Sequence, residues 1–199
     1  LRTAFTLMFF ALGVIAQSVG SAVFPSLAAL AAANDLPGYK QRLAAAMRSV
    51  LFLSFPATVA LIVMGQPLVA LFEGGEWTAA STQAAAWALA FYAVGVAGFS
   101  LLEVLSRAFY ALADTWTPVR IGMAAMVANI VLSVIFARLI GSPDTLENGA
   151  FGGLALANAL TTLLEGAVLW WLLRRRIGDL NDARILSGAG RALAASLVM

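Results

Sequence analysis

The chain has 199 residues, 62% of them hydrophobic and 11% charged, whereas an ordinary soluble domain carries about 25% charged residues. With a mean hydropathy of +0.92, that balance excludes a water-soluble core and makes the spanning helix, about 20 apolar residues long, the useful unit. A net charge of +2 is too small to suggest nucleic acid, and the lack of Cys and His removes disulfides, thiolate metal sites and the commonest general base; no catalytic residue, metal site or cofactor is assigned.

Five runs are long enough to cross a bilayer: 4–33, 50–72, 79–105, 119–140 and 150–173. A sixth begins near 188 and runs to the end at 199, inside an apolar stretch. The start, Leu1-Arg2-Thr3, has neither an initiator Met nor a signal-peptide layout, so the chain reads as an internal fragment of a longer protein. The runs are too long and too rich in Ala and Leu for barrel strands, and they lack inside-outside alternation. The expected fold is all-α: a polytopic membrane helix bundle with five complete transmembrane helices and the start of a sixth.

Between the first two runs, Asn34 to Gly38 form a turn, followed by Lys40, Arg42 and Arg48 on what reads as a short amphipathic surface helix. The third run is followed by Arg107 and Arg120, and the fifth by Arg174, Arg175, Arg176, Arg184 and Arg191. The connections after runs two and four carry mainly Glu73, Glu76, Arg138, Asp144 and Glu147. Because cytoplasmic connections concentrate Lys and Arg, the first run enters from outside and the fifth ends inside. Trp77, Trp116, Trp170 and Trp171 fall at the run ends, where indoles favour the headgroup level, while Trp87 fits a gap-filling place better. In the full-length protein, single cysteines at Gly38, Ala113 and Asp179 should be shielded from an impermeant thiol reagent in whole cells, and those at Gly75 and Asp144 should react. Labelling of Ala113 from outside would reverse this topology.

Charged and amide groups inside the bilayer cost about 2.5–3.5 kcal/mol on insertion scales and so mark candidate sites. Glu103 and Arg107 form an i,i+4 pair, read either as an anchor of the inner joint or as part of a gate. Glu165 has no local base and must face a cavity or a neighbouring helix. Gln17, Asn129 and Asn158 are cavity candidates that also suit interhelical hydrogen bonding. Pro25, Pro56 and Pro118 interrupt or start helices, as static kinks or as points of bending. Gly149 and Gly153 fit close helix packing. At the joint 106–120, Asp114 and Thr115 are placed to cap the fourth run, Pro118 suits its first turn, and the arginines hold the joint at the inner side; the joint serves as a turn or as an inner gate.

That joint, "SRAFYALADTWTPVR", resembles the inner-side joint in the carboxy-terminal lobe of the MurJ/MviN family, the lipid II flippases of the multidrug/oligosaccharidyl-lipid/polysaccharide exporter superfamily. Arg107 to Leu112, Asp114-Thr115 and Thr117-Pro118 carry the match, and the stretches 22–36 and 55–82 look similar in the same order. The resemblance implies fourteen spanning helices in two six-helix lobes plus a final pair around a cationic cavity. Residues 1–199 then correspond to part of the carboxy-terminal lobe, helices eight to twelve and the start of thirteen. It further implies a multi-pass protein of the bacterial cytoplasmic membrane that moves an undecaprenyl-linked peptidoglycan precursor by alternating access. The implied partners are the bilayer, a polyprenyl-diphosphate-linked substrate and the amino-terminal lobe, with coupling to membrane potential or a cation. Another polyprenyl-linked cargo, a drug exchanged for a cation, and a non-transporting scaffold in wall synthesis remain as alternatives. The family's aspartate-arginine pair aligns with Phe5 and Thr6, both uncharged, so no diphosphate ligand carries over; Arg2 is the nearest charge.

Overall fold

A computed structural model describes residues 2–72, 78–140, 150–180 and 182–198. Expectations for Glu73, Gly75, Glu76, Trp77, Asp144, Glu147 and Gly149 fall outside these residues. The described residues form helices joined by turns, with no strand among them. In chain order they are α1 (Arg2–Leu12), a π-helical turn (Gly13–Gln17), α2 (Ser18–Ala32), α3 (Leu36–Val63), α4 (Gly65–Ala70), α5 (Ala79–Val94), α6 (Val96–Ala111), α7 (Trp116–Leu139), α8 (Phe151–Ile177) and α9 (Asp182–Val198). Four continuous stretches, 2–32, 36–63, 116–139 and 151–177, are long and apolar enough to span a membrane, and α5 with α6 makes a fifth span bent by 46°.

The second run differs most from expectation. No separate surface helix precedes it: α3 runs unbroken from Leu36 through Lys40, Arg42 and Arg48 into the apolar segment and ends at Val63 rather than 72. Asp35 caps it, accepting from the Gly38 N–H at 2.9 Å, and Pro37 lies in the first turn, where a missing N–H costs nothing. Twenty-eight residues make a rod about 42 Å long, longer than a hydrocarbon core of about 30 Å. Its basic first turns therefore continue the same helix as the apolar segment, as a headgroup-level extension of a span would.

Pro25 and Pro56 lie inside α2 and α3 and end neither helix. The interruptions fall elsewhere, at the π-turn, at Met64 and at Gly95. At Gly95 the cause is close approach: a Cβ there would lie 2.9 Å from Ala159 Cα, so α8 can cross the bend only over a bare glycine. The sixth helix, α9, starts at Asp182 rather than near 188. Before it, Gly178 at φ 87° ends α8 and donates its N–H to Arg174 O at 2.8 Å.

Two apolar clusters hold the helices. One, at the end carrying the basic residues, contains Tyr39, Leu43, Met47, Leu105, Phe109, Leu169, Leu173 and Ile185. There the Tyr39 hydroxyl donates to Ala108 O at 2.7 Å, tying α3 to α6. The other gathers Met8, Leu12, Val69, Leu89, Val96 and Ala155. Helix α7 packs mainly along α8, and Pro118 is its one buried residue. Met123, Val127, Ile130, Val131 and Val134 are exposed and apolar, a surface suited to lipid.

Candidate functional site

Several polar side chains inside this oily bundle share one hollow, apart from the buried Ser54–Ser100 hydrogen bond between α3 and α6. On α8, Asn158, Thr161, Thr162 and Glu165 recur at helical spacing and so share a face. They line a hollow of about 300 Å³ with Asn129, Gly122, Ala125 and Met126 of α7 and Phe99 and Leu102 of α6. Thr161 and Thr162 donate to Ala157 O at 2.7 Å and Asn158 O at 2.9 Å, which satisfies their protons within the helix. The Asn158 Oδ1 is buried without a hydrogen-bond partner. Glu165 makes no ion pair or hydrogen bond among the described residues, and Gly122 gives it room: a Cβ there would lie 3.3 Å from its Oε1.

Glu165 also borders a second hollow of about 510 Å³, whose walls include Phe24, Glu103, Ser106, Arg107, Tyr110 and Pro118. Glu103 borders a third, of about 130 Å³, with Phe9, Leu12, Ala16, Gln17 and Phe99. Leu102 lines all three. The three hollows therefore neighbour one another along a groove of mixed polar and apolar lining that runs across α6, α7 and α8 to the π-turn, where Gln17 is the last residue. Such turns insert an extra residue into a helix and re-aim the side chains beyond it.

The expected ion pair lines the hollow of about 510 Å³, and its Glu103 also borders the one of about 130 Å³. Arg107 Nε donates to Glu103 Oε1 at 2.9 Å and Nη2 reaches the same oxygen, while Nη1 donates to Ser21 Oγ at 3.1 Å. A Cβ on Gly20 would lie 2.9 Å from Arg107 Nε, so the guanidinium needs a glycine on α2 to lie flat against it. The pair thus links α6 to α2 as well as closing a local turn.

At the 106–120 joint the cap differs from expectation. Thr115 occupies the cap position of α7 but makes no capping hydrogen bond. Asp114, one residue earlier, accepts from the Thr117 N–H at 3.0 Å and the Thr117 hydroxyl at 2.8 Å, and it pairs with Arg176 of α8. Ala113 takes φ 58°, which turns the chain so that the Asp114 carboxylate faces back toward Thr117. Burial alone would raise the Asp114 pKa; the two Thr117 hydrogen bonds and Arg176 outweigh it and hold the carboxyl below its ordinary value of 3.8. A lowered pKa means that this group's stabilisation is complete above that ordinary value and disappears as pH falls through the lower, folded one. Asp114→Asn keeps an acceptor for Thr117 and removes the partly exposed ion pair with Arg176, so it should reduce thermal stability at neutral pH by less than about 1 kcal/mol, and the gap from wild type should close in strong acid, as followed by detergent-phase unfolding.

Of the residues singled out from sequence, Glu165, Asn158 and Asn129 meet in one hollow. Gln17, Glu103, Arg107 and Pro118 line its extensions. Asp114 and Thr115 lie at the joint. Sequence reasoning missed Thr161, Thr162, Ser106, Tyr110 and the Arg176 partner of Asp114. The threonines were detectable, since they fall three and four residues after Asn158 on the stripe that ends at Glu165. Arg176 was not, because its contact with Asp114 spans 62 residues of sequence. Phe5 packs against Phe9 and Tyr92, and the Thr6 hydroxyl donates to Arg2 O, so neither position supplies a substitute charge. Among the described residues, no three His, Cys, Asp or Glu side chains converge as a metal site would require.

A sequence model of the family described as lipid II flippase MurJ matches residues 1–199. A probable lipid II flippase MurJ of Vibrio cholerae is 34% identical over 165 residues, covering 82% of this chain and 30% of that protein. Lipid II flippase MurJ of Burkholderia cenocepacia is 30% identical over 171 residues, covering 85% and 31%. A solved structure titled "Lipid II flippase MurJ, inward closed conformation" superposes with a TM-score of 0.78 at 24% identity, over 98% of this chain and 39% of that one, a likeness of fold. The chain spans about a third of the length of the curated relatives it matches.

Proposed function

Since the chain belongs to the MurJ lipid II flippase family, we propose that it supplies one wall of a translocation pathway that carries an undecaprenyl-diphosphate-linked peptidoglycan precursor across the bacterial cytoplasmic membrane. The observation that carries this reading is the groove from Asn129, Asn158 and Glu165 through Glu103 and Arg107 to Gln17. Polar groups inside a membrane bundle are retained where they face water or cargo, and here they line neighbouring hollows that share Leu102. The opposite wall belongs to the amino-terminal lobe, and the two bodies rock about the shared site. The basic end, with Arg107, Arg120 and Arg174 to Arg176, faces the cytoplasm. The joint formed by Asp114, Thr115 and Pro118 closes the groove on that side, and membrane potential or a coupled cation drives the cycle. The family match favours this cargo over a drug or a scaffold role.

Glu165→Gln in the full-length protein, reconstituted in liposomes with a fluorescent polyprenyl-diphosphate sugar, tests the reading. Replacing an unpaired carboxylate in the groove should slow transport about tenfold, which corresponds to about 1.4 kcal/mol of lost differential interaction. Transport at the wild-type rate would remove Glu165 from the mechanism.

A further inference from the structure

A separate cleft of about 340 Å³ opens at the basic end, between α3 and the turn that leads into α9. Its cationic lining residues are Lys40 and Arg48 of α3 and Arg184 of α9, set over a floor that includes Leu180 and Ile185, both buried. The charges converge through folding, since Arg184 lies far from the other two in sequence. Gly178 makes the approach possible: its φ of 87° turns the chain, and a Cβ there would lie 3.0 Å from Lys40 Nζ.

Several other cations at this end are engaged. Arg107 pairs with Glu103, Arg174 with Asp182 at 2.9 Å and Arg176 with Asp114, while Arg42 donates to Ser26. Lys40, Arg48 and Arg184 form no ion pair among the described residues, although Arg48 Nε donates to Ala44 O at 3.2 Å and Asp179 also lines the cleft. Three cations against one carboxylate leave a positive excess in a recess with an apolar floor.

The setting is the membrane surface. Trp170 donates to Asp182 at the start of α9, and Arg175 stacks 3.7 Å over the Trp171 ring one turn away, which places indoles at this depth. Basic recesses between spanning helices at such a depth suit anionic headgroups. We propose that this cleft binds the phosphodiester of an anionic phospholipid in the adjoining leaflet, with Lys40 and Arg184 gripping the phosphate from opposite walls and Arg48 extending the cationic wall. The site shares no lining residue with the groove and stands independently of what the groove transports.

Native mass spectrometry of the detergent-solubilised full-length protein tests this, with phosphatidylglycerol, phosphatidylcholine and inorganic phosphate as probes. Wild type should retain phosphatidylglycerol in preference to phosphatidylcholine, and equimolar inorganic phosphate should not displace it. The double variant Lys40→Gln/Arg184→Gln should weaken phosphatidylglycerol binding about tenfold or more. Arg42→Gln, outside the cleft, should leave it unchanged, and the charge-preserving Lys40→Arg/Arg184→Lys should retain most of it. Equal retention of the two lipids, or full binding by the double glutamine variant, would overturn the proposal. Displacement by equimolar phosphate would make this a free-phosphate site and overturn the lipid assignment. Because binding is read without transport, its failure leaves the reading of the groove intact.

Discussion

Gly153→Val should separate α7 from α8 and deplete the full-length protein from the membrane. A Cβ at this position would lie 2.3 Å from Phe136 O and 2.5 Å from its carbonyl carbon, distances that a rotamer change cannot relieve because the obstacle is backbone. Overpacking in a core typically costs about 1–3 kcal/mol and occasionally more; a backbone clash in the chief contact of α7 belongs at or above the top of that range. Asn129 and Gly122 ride on α7, so the groove loses a wall along with the stability. Gly166→Ala on the same helix is the control, because its Cβ would meet Gly98 O at an ordinary 3.5 Å. Membrane abundance and detergent melting should fall sharply for the first variant and hardly at all for the second. Equal abundance would mean that α7 does not pack on α8 as described.

Arg107→Gln should be the most damaging change within the groove. It leaves Glu103 charged without its partner and removes the donor to Ser21, which loosens α6 from α2. The two side chains are 26% and 35% exposed, so water in the groove screens part of the loss, and the cost should stay below about 3 kcal/mol. Adding Glu103→Gln should recover part of it, since a neutral pair leaves no uncompensated charge. A double-mutant cycle on melting temperature would read the coupling directly. Additive losses would show that the two residues act separately.

The spans were legible because hydropathy over about 20 residues depends on composition alone. The gathering of Lys40, Arg107 and Arg174 to Arg176 at one end followed from the same alternation of crossings. The breaks were not legible. Pro25 and Pro56 look like breakers, yet their helices continue, whereas the chain bends at Gly95 because of how closely Ala159 approaches it. A bend set by a residue 64 positions away leaves no local signal. The expected surface helix failed for a related reason: nothing after Pro37 stops a helix before Val63, and the basic residues of α3 mark depth in the bilayer instead of a boundary. At the site, Glu165, Asn158 and Asn129 stood out because polar groups are costly in lipid. Their meeting in one hollow depends on the pairing of α7 with α8, which the sequence does not state.

The most direct test of the groove as a transport path uses single cysteines in an otherwise cysteine-free full-length protein. Asn129→Cys places a thiol in the groove, and Ile130→Cys, one residue on, places it on the exposed apolar face of α7. After treatment with a hydrophilic thiol reagent, flipping of a fluorescent polyprenyl-diphosphate sugar in liposomes is measured for both. The account predicts that modification at position 129 stops transport while the protein with cysteine at position 130 continues at its untreated rate. Continued transport with position 129 fully modified would contradict it.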